Sequence, residues 1–255
     1  MNRAILRFSA ILAPLLLGVA CLMADPGFAA DDGKAPVVVE LFTSQGCSSC
    51  PAADAFLGEL AERDDVIALS EHVDYWNYIG WVDPFASELN TKRQKAYKHA
   101  LGAGYVYTPQ MVIDGASHVV GSDRDAVNRA IEAAQSAAGP RLKVAMNTES
   151  NGRIHISIPA GTINEPATIL LVAFDRAYET KVTAGENDGR SITNFRVVRG
   201  FTEIGRYHGK ALSLKLSPNN MPETFPTTDG CAVLLQSENS GAIIGAGMMW
   251  LRPKS

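Results

Sequence analysis

The sequence predicts an α/β domain followed by a mostly-β, sandwich-like C-terminal domain, and three observations predict it. A continuous apolar run, Val37–Phe42, leads into a C-x-x-C pair, Cys47 and Cys50, at the head of a helix-forming segment. Strand-like and helix-like segments then alternate as far as Gly139. Beyond Pro140, short apolar or alternating runs are separated by Gly, Pro, Asn and Ser. Alternating elements point to a sheet covered by helices, and a series of short strands points to packed sheets.

Composition narrows the function classes. A chain of 255 residues with 46% apolar content can build one large or two modest domains. A net charge of −4 without a basic run argues against nucleic acid or anionic lipid as a partner. Residues 1–30 have the features of a signal peptide. Arg3 and Arg7 precede an apolar stretch, Ile11–Met23, and small residues follow at Gly27, Ala29 and Ala30. The alternative is a lipoprotein signal acylated at Cys21, with Gly18 standing where that motif prefers Leu. Removal of the signal leaves no membrane span and a periplasmic or secreted chain with three cysteines, Cys47, Cys50 and Cys231. Disulfides persist in such a compartment. Three thiols cannot all pair within one chain, and the near neighbours Cys47 and Cys50 form the natural couple.

The first domain is expected over residues 35–139. Pro36 and the polar turn Thr43–Gly46 bound the first strand. Pro51 suits a first helical turn, where its missing N–H has no partner to lose, and Ala52–Ala61 continues with Phe56, Leu57 and Leu60 on one face. Val66–Val73 reads as a second strand. Asp74–Phe85 is dense in aromatics, carries Gly80 and Pro84 as breakers, and reads as an ordered loop. A helix follows over residues 86–101, ended by Gly102 and Gly104. Met111–Ile113 and Ser117–Val120 flank Asp114-Gly115, a strong hairpin turn. Asp123 offers an N-cap to an amphipathic helix, residues 124–138, with Val127, Ala130, Ile131 and Ala134 inward. The second domain, residues 140–255, carries about seven short strands of the kind that build a sandwich, and Gly185–Asn194 reads as a long polar loop.

Strand, C-x-x-C, helix is an arrangement that activates a thiol, because free N–H groups and the dipole at a helix start favour thiolate. With Thr108-Pro109 ahead of the hairpin, the first domain resembles the thioredoxin superfamily. That resemblance implies a cis Pro109 facing the cysteines, with the backbone of Thr108 touching substrate. The fuller wording, E-L-F-T-S-Q-G-C-S-S-C-P, H-V-D-Y-W-N-Y-I-G-W-V-D-P-F and Y-T-P-Q-M-V-I-D-G, resembles a bacterial group of secreted proteins of unassigned activity, domain of unknown function 1223.

The residues admit several uses. Cys47, read as the exposed thiol, would attack or be attacked, and Cys50 would resolve the mixed disulfide; the alternative is an inert structural disulfide. Glu40, a carboxylate in an apolar strand, is either a proton acceptor for the inner cysteine or a buried ion-pair partner. Tyr75 and Trp76, with Tyr78 and Trp81, would line a substrate groove or pack as a small core beneath the loop; His72 and Asp74 stand at the same place. His99, His118 and Cys231 read as structural. The leading expectation is a thiol–disulfide oxidoreductase acting on cysteines of exported proteins or on small thiols. It would need a redox partner to recycle it and no cofactor or metal. A Cu(I)- or Zn²⁺-binding protein using the same cysteines, and a redox-inert adaptor, are the alternatives.

Overall fold

The computed structural model describes residues 35–217 and 225–253. The signal-peptide and Cys21 expectations lie outside the described residues. The first half runs β1 (Val37–Thr43), α1 (Pro51–Leu60), β2 (Val66–His72), α2 (Glu88–Ala100), β3 (Gln110–Ile113), β4 (Ser117–Val120) and α3 (Arg124–Ser136). The second half runs β5 (Leu142–Lys143), β6 (Ala145–Thr148), β7 (Ile154–Ile158), β8 (Ala167–Lys181), β9 (Ser191–Tyr207), β10 (Leu212–Leu216), β11 (Gly230–Ser237) and β12 (Ile243–Trp250).

Local chemistry accounts for the element ends. The Ser87 hydroxyl accepts from the Leu89 N–H, and the Asp123 carboxylate accepts from the Ala126 N–H, so α2 and α3 each begin on a side-chain cap. Asp114 and Gly115 both have positive φ, 46° and 62°, as a two-residue hairpin turn between right-twisted strands requires. The Asp114 carboxylate stays inside, accepting from the Val38 N–H at 2.7 Å and from Arg141 at 2.6 Å.

The expected α/β thioredoxin-like domain followed by a separate sandwich is not what the chain builds. Strands outnumber helices twelve to three among the described residues. Nine strands form one mixed sheet in the order β4-β3-β1-β2-β9-β8-β11-β12-β5, and β10-β7-β6 form a second, small sheet. The halves therefore share a sheet, joined where β2 runs parallel to β9 at Ser70 and Val197. The physical reason lies in β2. All seven of its residues are buried, so an open edge there would leave an apolar strand and its backbone groups without cover. One core cluster spans the join, with Val38, Ile67 and Leu69 from the first half against Val172, Phe174, Ala232 and Leu234 from the second. Periodicity reports which face of a strand is wet, not which strand lies beside it. The pairing partner of β2 was therefore the unreadable part.

Two further differences bear on the site. Where short strands were expected, β8 and β9 run 15 and 17 residues, paired from Ala167–Tyr207 to Lys181–Ser191. Much of the segment predicted as a loop, 185–194, is thereby drawn into a hairpin arm. That arm lies along α1, where Phe195 sits so close to Gly58 that a Cβ there would fall 2.5 Å from its ring.

Candidate functional site

The site is the turn between β1 and α1. Cys47 N–H bonds to Ser44 O and Cys50 N–H to Cys47 O, and the Asp54 N–H then starts the helix on Cys50 O. The tight turn holds the two Cα atoms 5.4 Å apart, and Cys47 and Cys50 form a disulfide. Ser48 and Ser49 face solvent, but Cys47 is only 2% exposed and Cys50 is fully buried. The expectation of an exposed Cys47 is therefore corrected.

The cover comes from the tip of the β8–β9 arm, the short helical turn Gly185–Asn187. The Asn187 side-chain amide donates to Gln45 O at 2.9 Å and to Cys47 O at 3.0 Å. The Ser48 N–H donates to the Glu186 carboxylate at 3.2 Å. This strap approaches the aromatic loop at Gly185, which has φ 74° and where a Cβ would press on the Trp81 side chain at 3.2 Å.

The loop after β2 forms the other wall. Gln45 joins the two walls, accepting from the Trp81 indole at 3.1 Å and donating to Asn194 of β9 at 2.8 Å. The Trp76 indole donates to the Thr108 hydroxyl at 2.8 Å, and Trp76 packs on Gly46. The Tyr75 hydroxyl donates to Gln94 at 3.1 Å, and Gln94 in turn donates to Tyr107 O and to Gln110. Burial pushes the Tyr75 hydroxyl up to about 12. The Thr108–Pro109 bond is cis. Trp76 thus links Thr108 to the cysteine turn at Gly46, and Tyr75 and Trp76 pack on a small core of Phe42, Val73, Tyr97 and Val112.

Glu40 is not brought there. Side chains alternate along β1, so Val39 and Leu41 face α1 while Glu40 faces α2. Its carboxylate accepts from Arg93 at 2.6 Å and from the Tyr97 hydroxyl. Burial alone would raise its pKa, but Arg93, the Glu71 carboxyl and Tyr97 together hold it below the usual range. Burial, and then the Glu40 charge, push Glu71 well above it. Of its two expected uses, Glu40 takes the ion-pair one.

The carboxyl near the cysteines is Asp54, four residues after Cys50 and on the same side of α1. It is 2% exposed, and neither oxygen has a hydrogen-bond partner. Burial pushes it up to about 7, opposed by His72 and by the adjacent Thr43 hydroxyl and Asn194 amide. Neither of those two polar atoms is itself paired in good geometry. The His72 ring is held at Nδ1 by Asp83 at 2.7 Å, and its Nε2 is likewise unpaired. Asp83 also accepts from the Gln45 N–H, and those contacts outweigh its burial and hold its pKa low. A buried polar pocket with a carboxyl near neutrality thus lies behind Cys50. It can hold a proton about one helical turn along the chain from Cys50. The signal for Asp54 was present in the sequence: it lies three residues before Leu57, on the inward stripe of α1. For Glu186 and Asn187 there was none, since only tertiary structure carries them to the cysteines.

Cys231 is fully buried, with its thiol pushed up to about 12 by burial. Among the described residues no three His, Cys, Asp or Glu side chains gather in a way that could hold a metal ion, and no helix is long and apolar enough to cross a membrane.

Residues 38–236 match the family described as Protein of unknown function (DUF1223). The chain belongs to that family. A crystal structure of a protein from Agrobacterium tumefaciens, from a structural genomics consortium, is 36% identical. The match covers 88% of this chain and 98% of that one, with a TM-score of 0.76. HBP35 of Porphyromonas gingivalis is 14% identical, with 85% of this chain and 75% of that one covered at a TM-score of 0.58, a likeness of fold alone. No curated protein matches the chain.

Proposed function

We propose that this family member is an exported thiol–disulfide oxidoreductase whose Cys47–Cys50 pair cycles between disulfide and dithiol. The observation that carries the reading is the short-loop disulfide at the start of α1, backed by the buried, unpaired carboxyl of Asp54. A disulfide closing so small a loop does little to restrict the unfolded chain, so stability alone is a weak reason to have one. A buried carboxyl without partners is costly, and a reaction that uses its proton is a reason to keep it.

In the forward step a substrate thiolate attacks Cys47 Sγ. A substrate–Cys47 disulfide forms, the Cys47–Cys50 bond breaks, and Cys50 leaves with the electron pair and takes the Asp54 proton. A second substrate thiolate then closes the substrate's own disulfide and releases Cys47. The substrate is oxidised and the pair reduced by two electrons. The reverse sequence returns the proton to Asp54. The substrates are cysteines of exported proteins or small thiols, and a redox partner in the same periplasmic or extracellular compartment recycles the pair. The cis Thr108–Pro109 segment and Trp76 border the approach to the turn.

A second reading, an inert structural disulfide in an adaptor protein, is favoured by the burial of Cys47. One experiment separates the two. The chain from residue 31 onward, with Cys50→Ser, is incubated with oxidised glutathione, and the intact pair is assayed for catalysis of insulin reduction by dithiothreitol. Exchange predicts a glutathione adduct on Cys47 and catalysis above background. No adduct and no catalysis would leave the structural disulfide.

A further inference from the structure

We propose that Glu186 biases the Cys47–Cys50 pair toward the disulfide by opposing the thiolate at Cys47. The inference rests on the exchange reading and deepens it. The N–H groups at the start of α1 are what would lower the pKa of Cys47. Glu186 brings a charge to the turn just ahead of that start, accepting from the Ser48 N–H at 3.2 Å. Its carboxylate therefore rests against the peptide unit that follows Cys47. Asn187 pins the same turn to the strap through Gln45 O and Cys47 O, so the contact belongs to a fixed cover and not to a free side chain.

The charged and titratable groups around the pair are few. Asp54 lies beneath Cys50, and the His72–Asp83 pair lies behind Gln45. On the strap, Asp188 and Arg190 follow Glu186 in sequence, and among the described residues no cation pairs with Glu186. Glu186 is the charged side chain bonded between the two cysteines.

The consequence follows from charge alone. Reduction turns Cys47 into a thiol that ionises near the Glu186 carboxylate, with the Ser49 hydroxyl 3.3 Å from its sulfur. The thiolate is disfavoured, so the reduced form is less stable than the helix start would otherwise make it. A strong oxidant of this chemistry is strong because its reduced form is stabilised; here that stabilisation is opposed.

Glu186→Gln tests the idea, because the amide oxygen can still accept from Ser48 while the charge is gone. Glutathione titration of the two proteins gives the equilibrium, and iodoacetamide labelling of the reduced pair against pH gives the Cys47 pKa. A surface charge at a helix start supports a change of about twofold to fivefold in the equilibrium constant toward dithiol, which is roughly 9–21 mV. The Cys47 pKa falls by a few tenths of a unit. Because Glu186 is exposed, both differences shrink in ~1 M salt, where the Debye length is about 3 Å. Equal potentials and equal labelling profiles in the two proteins overturn the inference while leaving exchange intact. A pair that opens in neither overturns the exchange reading, and this inference with it.

Discussion

Replacing Asp54 by Asn removes a buried charge without changing the shape of the side chain. Burial raises the Asp54 pKa from 3.8 to about 7. The folded protein thus prefers the protonated form. Its contribution to stability is complete below about pH 4 and is lost as pH rises through 7. The shift is about three units, and at about 1.4 kcal/mol per unit wild type loses roughly 4 kcal/mol between pH 4 and pH 8 through this one group. The Asn variant does not titrate. It is therefore expected to match wild type to within about 1 kcal/mol at pH 4 and to exceed it by about 4 kcal/mol at pH 8. Urea unfolding at intervals from pH 4 to pH 8, with the disulfide intact, measures the difference. Glu71 also ionises late, but it does so in both proteins and cancels from the comparison. The same variant lacks the proton for the Cys50 leaving group, so its reduction by dithiothreitol at pH 6 should slow by about 100-fold. A stability difference that stays flat with pH would refute the placement of Asp54 as a neutral buried acid, and an unchanged reduction rate would refute its role.

Other changes separate structure from chemistry. Glu40→Ala leaves Arg93 buried without its main partner, and should cost about 3–5 kcal/mol in urea unfolding while the potential of the cysteine pair stays unchanged. A moved potential would return Glu40 to the redox site. Asn187→Ala removes both side-chain bonds that hold the strap on the turn. Dithiothreitol should then open the disulfide several-fold faster, since each such bond contributes about 1 kcal/mol. An unchanged rate would show that the strap does not limit access. Cys231 should resist a maleimide reagent at pH 7 in the folded protein and react fully in urea; labelling of the native state would contradict its burial.

The sequence made the cysteine turn, the hairpin at Asp114-Gly115 and the cap of α3 legible, because each depends on residues a few positions apart. The grouping of Tyr75, Trp76, Thr108 and Pro109 came from a resemblance and not from spacing. The two uses of Glu40 stayed open because its distance from Cys47 in sequence says nothing about which face of β1 it occupies. Alternation along Val37–Phe42 could not decide this, since every residue there is apolar except Glu40 itself. The joining of the halves through β2 and β9 was unreadable for a related reason. A strand buried on both faces carries no pattern that names its neighbour. The strap was hidden because Gly185–Asn194 has the composition of a loop, and its outer residues pair as strand only because β8 is there to receive them.

The most direct test is the equilibrium of the Cys47–Cys50 pair in glutathione buffers of graded ratio, read by mass after alkylation, on the chain from residue 31. Thiol–disulfide exchange predicts a reversible two-electron transition within the range of ratios. A pair that stays oxidised at every ratio, and opens only when the protein is unfolded, would contradict exchange and leave Cys47 and Cys50 as a structural link.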